Sequence, residues 1–185
     1  MMPQDVLFDV DPQLIGVDRP LLGPEPPTTP STERAMLDLL HARYDANPGN
    51  GPRFVCAEHV RNRAGFDASR TADFIAMDVW PSSGLPIHGH EVKVSRSDWL
   101  RELADPSKAD AFMRYVDYWW LVVPDKRIVR DDLPAGWGLL VQSGHRLSVA
   151  RSAVRLSPEP LPRTMLASLL RATVATARRR MERDQ

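Results

Sequence analysis

What this chain has least of is lysine and cysteine. Of its 24 basic residues only Lys93, Lys108 and Lys126 are lysines, and the rest are arginines. Arginine is a planar fork that stays protonated, whereas lysine is a compact point charge whose proton affinity its surroundings can tune. A lysine kept in a chain that otherwise spells positive charge as arginine therefore suits a chemical role. Cys56 is the single cysteine, which excludes an internal disulfide. No apolar run approaches the roughly 20 residues that span a bilayer, and the opening Met1-Met2-Pro3-Gln4-Asp5 lacks the basic and apolar segments of a secretion signal. These absences predict a soluble, cytoplasmic protein with no membrane association.

Net charge is also missing, because 24 acidic residues balance the 24 basic ones. This argues against a histone-like binder, whose affinity comes from bulk neutralisation of phosphates. The charge is nevertheless distributed unevenly. Residues 1–30 carry Asp5, Asp9, Asp11, Asp18 and Glu25 against Arg19 alone, and residues 160–185 carry six arginines against Glu182 and Asp184. Such asymmetry permits a local basic surface.

A length of 185 residues with 43% hydrophobic content suits one domain with an appendage. Residues 1–30 hold seven prolines, so they form neither a long helix nor a central strand and read as an extended or disordered arm. Residues 31–185 then form a single domain. Ser31 or Thr32 caps a helix running to about Asn47, with Ala35, Met36, Leu39, Leu40 and Tyr44 as its apolar stripe. Residues 53–60 are short and mixed, a strand or a turn of helix, before a polar loop from Arg61 to Ser69. Thr71 to Trp80 and Leu85 to Val94 read as a hairpin across Pro81-Ser82-Ser83-Gly84. A helical stretch follows from Asp98 to Tyr115, interrupted at Asp105-Pro106. Tyr118 to Val123 is a continuous apolar run, the mark of a central strand covered on both faces. Two shorter strands, Gly138 to Gln142 and Arg146 to Ala150, precede a closing helix from about Pro162 to Arg183. The predicted fold class is α/β, a mixed sheet flanked by helices whose core order is α-β-β-α-β.

The hairpin places Asp73 and Glu91 on neighbouring strands. Side chains alternate along a strand, so Glu91 and Lys93 share a face with Gly89, which is expected to leave room beside the carboxylate, while His88, His90, Val92 and Val94 take the other face. The parity argues against a zinc site built from His88-Gly89-His90-Glu91, since structural zinc needs about four convergent ligands. Asp73 and Glu91 are hard oxygen donors of the kind Mg²⁺ or Mn²⁺ takes together with water and substrate phosphate. A metal held there lowers the pKa of a bound water and offsets charge building on a phosphorane, with Lys93 orienting that water or adding positive charge. The ordinary alternative for Glu91 and Lys93 is an ion pair on a solvated sheet face, worth about 0–1 kcal/mol.

Asp73, the strand-borne Glu91-Val92-Lys93 and the α-β-β-α-β order resemble the PD-(D/E)XK nuclease superfamily over roughly residues 53–125. The runs Arg70-Thr71-Ala72-Asp73-Phe74-Ile75-Ala76-Met77 and His90-Glu91-Val92-Lys93-Val94-Ser95-Arg96-Ser97-Asp98-Trp99-Leu100 resemble, more specifically, the MmcB-like DNA-repair branch of bacteria and their phages. Ala72 stands where the superfamily's eponymous proline would be. The resemblance implies a restriction-endonuclease-like fold, a divalent metal (Mg²⁺ or Mn²⁺) and a DNA substrate, with Asp73, Glu91 and Lys93 on the three core positions. Many members add an upstream acidic ligand, for which Glu58 is the best-placed candidate. Arg70 and Arg96 flank the site as phosphate clamps, with pairing to a neighbouring Asp as their ordinary role. Arg101 and Lys108 reach phosphates from the following helix, or line a solvated helix face. Tyr118, Trp119 and Trp120 read as core packing rather than base-stacking platforms, and Arg178-Arg179-Arg180 read equally as a backbone-tracking patch or as complements to a helix dipole.

The function expected on these grounds is a metal-dependent DNA endonuclease or repair nuclease. Two other readings stand beside it: a non-cleaving DNA-binding repair or phage-accessory module of the same fold, and a structural or interaction protein with no nucleic-acid role. A homodimer is the expected assembly if both strands are cut with one site per chain.

Overall fold

In the computed structural model, which describes residues 31–45, 51–62, 70–105, 107–183 and 185, Thr32 starts the first helix as expected. Its Oγ1 accepts the Ala35 N–H at 3.2 Å, satisfying one of the donors a helix start leaves open. The helix, α1 (Glu33–Tyr44), is followed by β1 (Phe54–Arg61), β2 (Thr71–Asp78) and β3 (Ile87–Val92). Then come α2 (Arg96–Leu103), α3 (Ser107–Met113), β4 (Tyr118–Val123), β5 (Gly138–Ser143), β6 (Arg146–Arg151) and α4 (Arg163–Arg183). The ambiguous 53–60 stretch is thus a strand, and the helical stretch predicted from Asp98 divides into α2 and α3 as the Asp105-Pro106 break implies. The proline-rich arm and residues 63–69 of the polar loop lie outside the described residues. No helix among the described residues is long and apolar enough to cross a membrane.

The six strands form one sheet in chain order, β1-β2-β3-β4-β5-β6. β1, β2 and β3 pair antiparallel, β4 lies parallel to both β3 and β5, and β6 closes antiparallel on β5. The predicted α/β class, a mixed sheet flanked by helices, is therefore observed. α1 covers one face, where Met36, Leu37, Leu40 and Tyr44 meet Phe74, Val92, Val122 and Leu140. α2 and α3 cover the other, setting Trp99 and Phe112 against Trp119, Leu121 and Val123. β4 is buried on both sides, which explains its unbroken apolar run; each fully buried large side chain there contributes roughly 1.5–3 kcal/mol.

β4 carries its two tryptophans on opposite faces, and each lies across from a glycine. Trp119 pairs with Gly89 of β3, and Trp120 pairs with Gly138 of β5. A Cβ on Gly89 would stand 2.4 Å from the Trp119 ring, and one on Gly138 would stand 2.2 Å from the Trp120 ring. This corrects the expectation for Gly89: the space it leaves is taken by an indole, not kept open beside the Glu91 carboxylate.

α4 runs along the exposed edge of β1. There the Glu58 N–H, which has no ladder partner on an edge strand, donates to Thr176 Oγ1 at 2.9 Å. The Glu58 side chain, opposite Phe74 in register, turns to the α1 face. It accepts from both terminal nitrogens of Arg34 at 2.8 and 3.0 Å and meets His41 Nε2 at 2.8 Å, with Arg179 at 3.5 Å. Arg180 adds bonds to His41 and Asp45, so α1, β1 and α4 are stapled through one buried carboxylate. Burial works to raise the Glu58 pKa, but Arg34 and His41 more than offset it and hold the carboxyl down at about 2.

Two outcomes follow. A depressed pKa means that the Glu58 contribution to stability is complete above the unfolded value of about 4.5 and is lost as the pH falls towards 2. Glu58→Gln is expected to lower stability at neutral pH by about 2–4 kcal/mol and to flatten the acid limb between those values in urea titrations followed by circular dichroism. Gly89→Ala is expected to cost about 1–3 kcal/mol through overpacking against Trp119, measured in the same way.

Candidate active site

The ladder between β2 and β3 ends at Phe74↔His90. One residue further on, the Asp73 carboxylate accepts the Val92 N–H at 2.8 Å, taking the place of a backbone carbonyl. β3 meanwhile stays with β4: Glu91 pairs with Leu121 and Val92 with Val122, and the Lys93 N–H donates to Val122 O at 3.0 Å. The two strands part here, and Asp73, Glu91 and Lys93 stand where they part. The predicted parity holds. His90 is fully buried on the α1 side against Tyr44 Oη at 2.9 Å, and His88 stacks on Tyr118 and accepts from Trp120 Nε1 at 3.3 Å, so neither imidazole joins Glu91.

The Lys93 ammonium donates to Glu91 Oε1 and lies 3.2 Å from Glu102 Oε2. Glu91 and Lys93 are 8 and 9% exposed, so this is not an ion pair on a solvated face. Glu102 is 3% exposed, and Lys108 approaches the same oxygen to 3.8 Å. Two of the three lysines thus converge on one buried carboxylate that the sequence reading missed. Its signal was its place three residues after the buried Trp99, on the same side of α2.

Burial raises the Glu91 pKa and the Asp73 charge raises it further, while Lys93 opposes both. Asp73 is likewise raised by burial, although the Val92 N–H and Lys93 pull it down. Burial works against the Lys93 charge, but Glu91, Asp73 and Glu102 outweigh it and hold the lysine cationic. Asp73, Glu91 and Glu102 thus crowd around Lys93, with Lys108 reaching Glu102 from outside, and in this poorly hydrated place the raised Glu91 pKa disfavours all three carboxyls being charged together.

Asp73 also belongs to a second group. One ligand atom each of Glu33, His59 and Asp73 lie within 4.8 Å of one another. Glu33 comes from the first turn of α1, and His59 lies between the Glu58↔Phe74 and Val60↔Ala72 pairs with a left-handed φ of 51°. Sequence reasoning named neither, because β1 was not recognised as the strand beside Asp73. Glu58, the upstream ligand proposed instead, is not brought to the site: its carboxylate belongs to Arg34 and His41 on the α1 side.

The four expected DNA contacts divide two and two. Arg96 is committed to Ile128 O at 3.0 Å, Val129 O at 3.3 Å and the Asp132 carboxylate, which also accepts from Trp99 Nε1 at 2.7 Å; it fastens the start of α2 to the β4–β5 connection. Arg70 donates to Ser107 Oγ at 2.9 Å and pairs with Asp105 at 3.1 Å, tying β2 to the α2–α3 turn. Both therefore take the ordinary role weighed for them, pairing with a neighbouring Asp. Arg101, largely exposed, pairs only with Asp98 on its own helix at 3.1 Å, and Lys108, partly exposed, reaches no closer than 3.8 Å to Glu102, so neither is tied to another element by a close bond. Trp119 is core, as expected, and Arg179 and Arg180 are engaged by Glu58 and Asp45.

A scan against models of known protein families gives no match, and a comparison with curated proteins gives none either. Among solved structures, the chain is similar to a protein of unknown function from Silicibacter pomeroyi, with 21% sequence identity and a TM-score of 0.53 over 80% of this chain and 86% of that one. At that identity the likeness speaks for the fold alone.

Proposed function

We propose that this chain is a divalent-metal-dependent deoxyribonuclease of the PD-(D/E)XK type. The observation that carries the reading is the parting of β2 from β3, which gathers Asp73, Glu91 and Lys93 at one point above the buried Glu102. The donor set supports the metal: Asp73 offers a hard carboxylate oxygen within 4.8 Å of ligand atoms of Glu33 and His59, and Glu91 lies close enough for the Asp73 charge to raise its pKa, a repulsion that a small divalent cation between them would relieve. Asp73 and Glu91 would hold the ion, which supplies an activated water and offsets charge on the phosphoryl oxygens. Lys93 keeps its proton and presents the ammonium to the scissile phosphate or the attacking water. Glu102, 3.2 Å from the ammonium, would hold Lys93 in place were Glu91 to serve as a metal ligand. Lys108 and Arg101, on the solvent side, meet the flanking phosphates. With one such site per chain, cutting both strands of a duplex calls for a homodimer.

One observation favours a non-cleaving DNA-binding module of the same fold: the Lys93 ammonium is bonded to Glu91, the group that would serve as ligand. Cleavage of labelled single-stranded, duplex and branched DNA decides between the two. Wild type is expected to cut with Mg²⁺ or Mn²⁺ and not with EDTA. Lys93→Ala is expected to lose about 10²–10³-fold in rate while binding DNA as before, and Asp73→Asn or Glu91→Gln to lose metal binding by calorimetry. DNA bound but never cut supports the module, and an absence of salt-dependent DNA binding supports a protein with no nucleic-acid role.

A further inference from the structure

The outer face of α4 carries a row of apolar residues that the fold does not use. Ala167, Leu170, Val174, Ala177 and Met181 recur at alternating spacings of three and four, the pattern of a helix seam that packs against another segment. Leu170, Val174 and Met181 are 59, 53 and 60% exposed, whereas Met165, Ser168 and Thr176 on the opposite side of the helix are buried. A single exposed apolar side chain needs no explanation, but a row along four turns of one helix marks a docking surface. Arg171 and Arg178 run beside the row, Arg163 stands at its start, and none of the three makes an ion pair among the described residues. A second copy laid on this face would set arginine against arginine, so the charge selects an occupant that is apolar and acidic.

The chain contains such a segment. In Asp5-Val6-Leu7-Phe8-Asp9-Val10-Asp11, alternation in an extended backbone would put Val6, Phe8 and Val10 on one side and Asp5, Leu7, Asp9 and Asp11 on the other, three of these four acidic. Pro3 and Pro12 bound the segment in the sequence. Reach is sufficient. The α1 helix has 12 residues, a length of about 18 Å, and Asp45 at its end pairs with Arg180 of α4. Ser31, at the other end of α1, therefore lies within roughly 20 Å of α4, and the residues preceding it span up to about 100 Å when extended.

We propose that Asp5–Asp11 docks in cis along the Leu170–Met181 row of α4. Val6, Phe8 and Val10 cover the apolar row, and the aspartates meet the long side chains of Arg171 and Arg178, which bend over the segment. This inference does not rest on the nuclease reading.

The test uses the full chain carrying spin labels at Gln4→Cys and Glu182→Cys in a Cys56→Ala background, which removes a thiol whose pKa burial pushes up to about 12. Double electron–electron resonance is expected to give a short, narrow distance distribution that is unchanged when labelled protein is diluted with unlabelled protein. Val174→Asp, a surface change that leaves the core intact, is expected to abolish the short distance, and so is Phe8→Asp. A broad distribution in the parent chain, indistinguishable from that of Val174→Asp, overturns the proposal. A short distance that disappears on dilution with unlabelled protein also overturns it and assigns the face to a second copy.

Discussion

Everything at the candidate site depends on one exchange of hydrogen-bond partners. At the end of the β2–β3 ladder a side-chain carboxylate, that of Asp73, replaces a main-chain carbonyl as acceptor for Val92. A strand that continued in register would seal this position with backbone. Because β2 leaves while β3 is held by β4, the sheet opens at a point still lined by rigid strands on both sides, and the polar groups there have fixed positions without a loop to carry them.

The opening explains the electrostatics. Carboxylates are buried only where something compensates them, and this protein uses two different solutions a few residues apart. On the α1 side Glu58 is matched by Arg34, His41 and Arg179, its charge is well satisfied, and it serves to join elements. At the strand opening Glu91 and Glu102 share Lys93, with Lys108 at a greater distance from Glu102 and the Asp73 carboxylate nearby, and burial raises the Glu91 and Asp73 pKa values where Glu58 is held down. The first arrangement is a structural joint, and the second leaves its carboxylates incompletely compensated. Residue type alone cannot separate them, since each begins with a glutamate on a strand.

That is also where the limit of the sequence lay. The strands, the helices and the central place of β4 were legible because they rest on periodicity and on proline and glycine punctuation: Tyr118 to Val123 has no polar residue to offer a solvated face, and Thr32 announces α1 by its cap. Asp73, Glu91 and Lys93 were legible as a group because a short hairpin fixes their neighbours. Glu58 was misplaced and Glu33, His59 and Glu102 were missed, because their roles depend on which face a strand edge presents and on how helices lie across the sheet. Those are tertiary facts with no local signature. The arginines misled for a related reason: Arg96 sits beside the site in sequence, but its guanidinium is taken up by the carbonyls of the β4–β5 connection and by Asp132.

The paired tryptophans of β4 have a consequence for assembly. A parallel ladder is nearly indifferent to a slip of two residues, since every N–H finds an equivalent carbonyl and every side chain keeps its face. Volume is not indifferent. Sliding β3 by two would bring Ile87 or Glu91 under the Trp119 ring, and sliding β5 by two would bring Leu140 under Trp120. β3 is therefore indexed against Trp119 in both directions and β5 against Trp120 in one, since the opposite slip would set Gly136 there, and those misaligned pairings are rejected by bulk where hydrogen bonding alone would have accepted them.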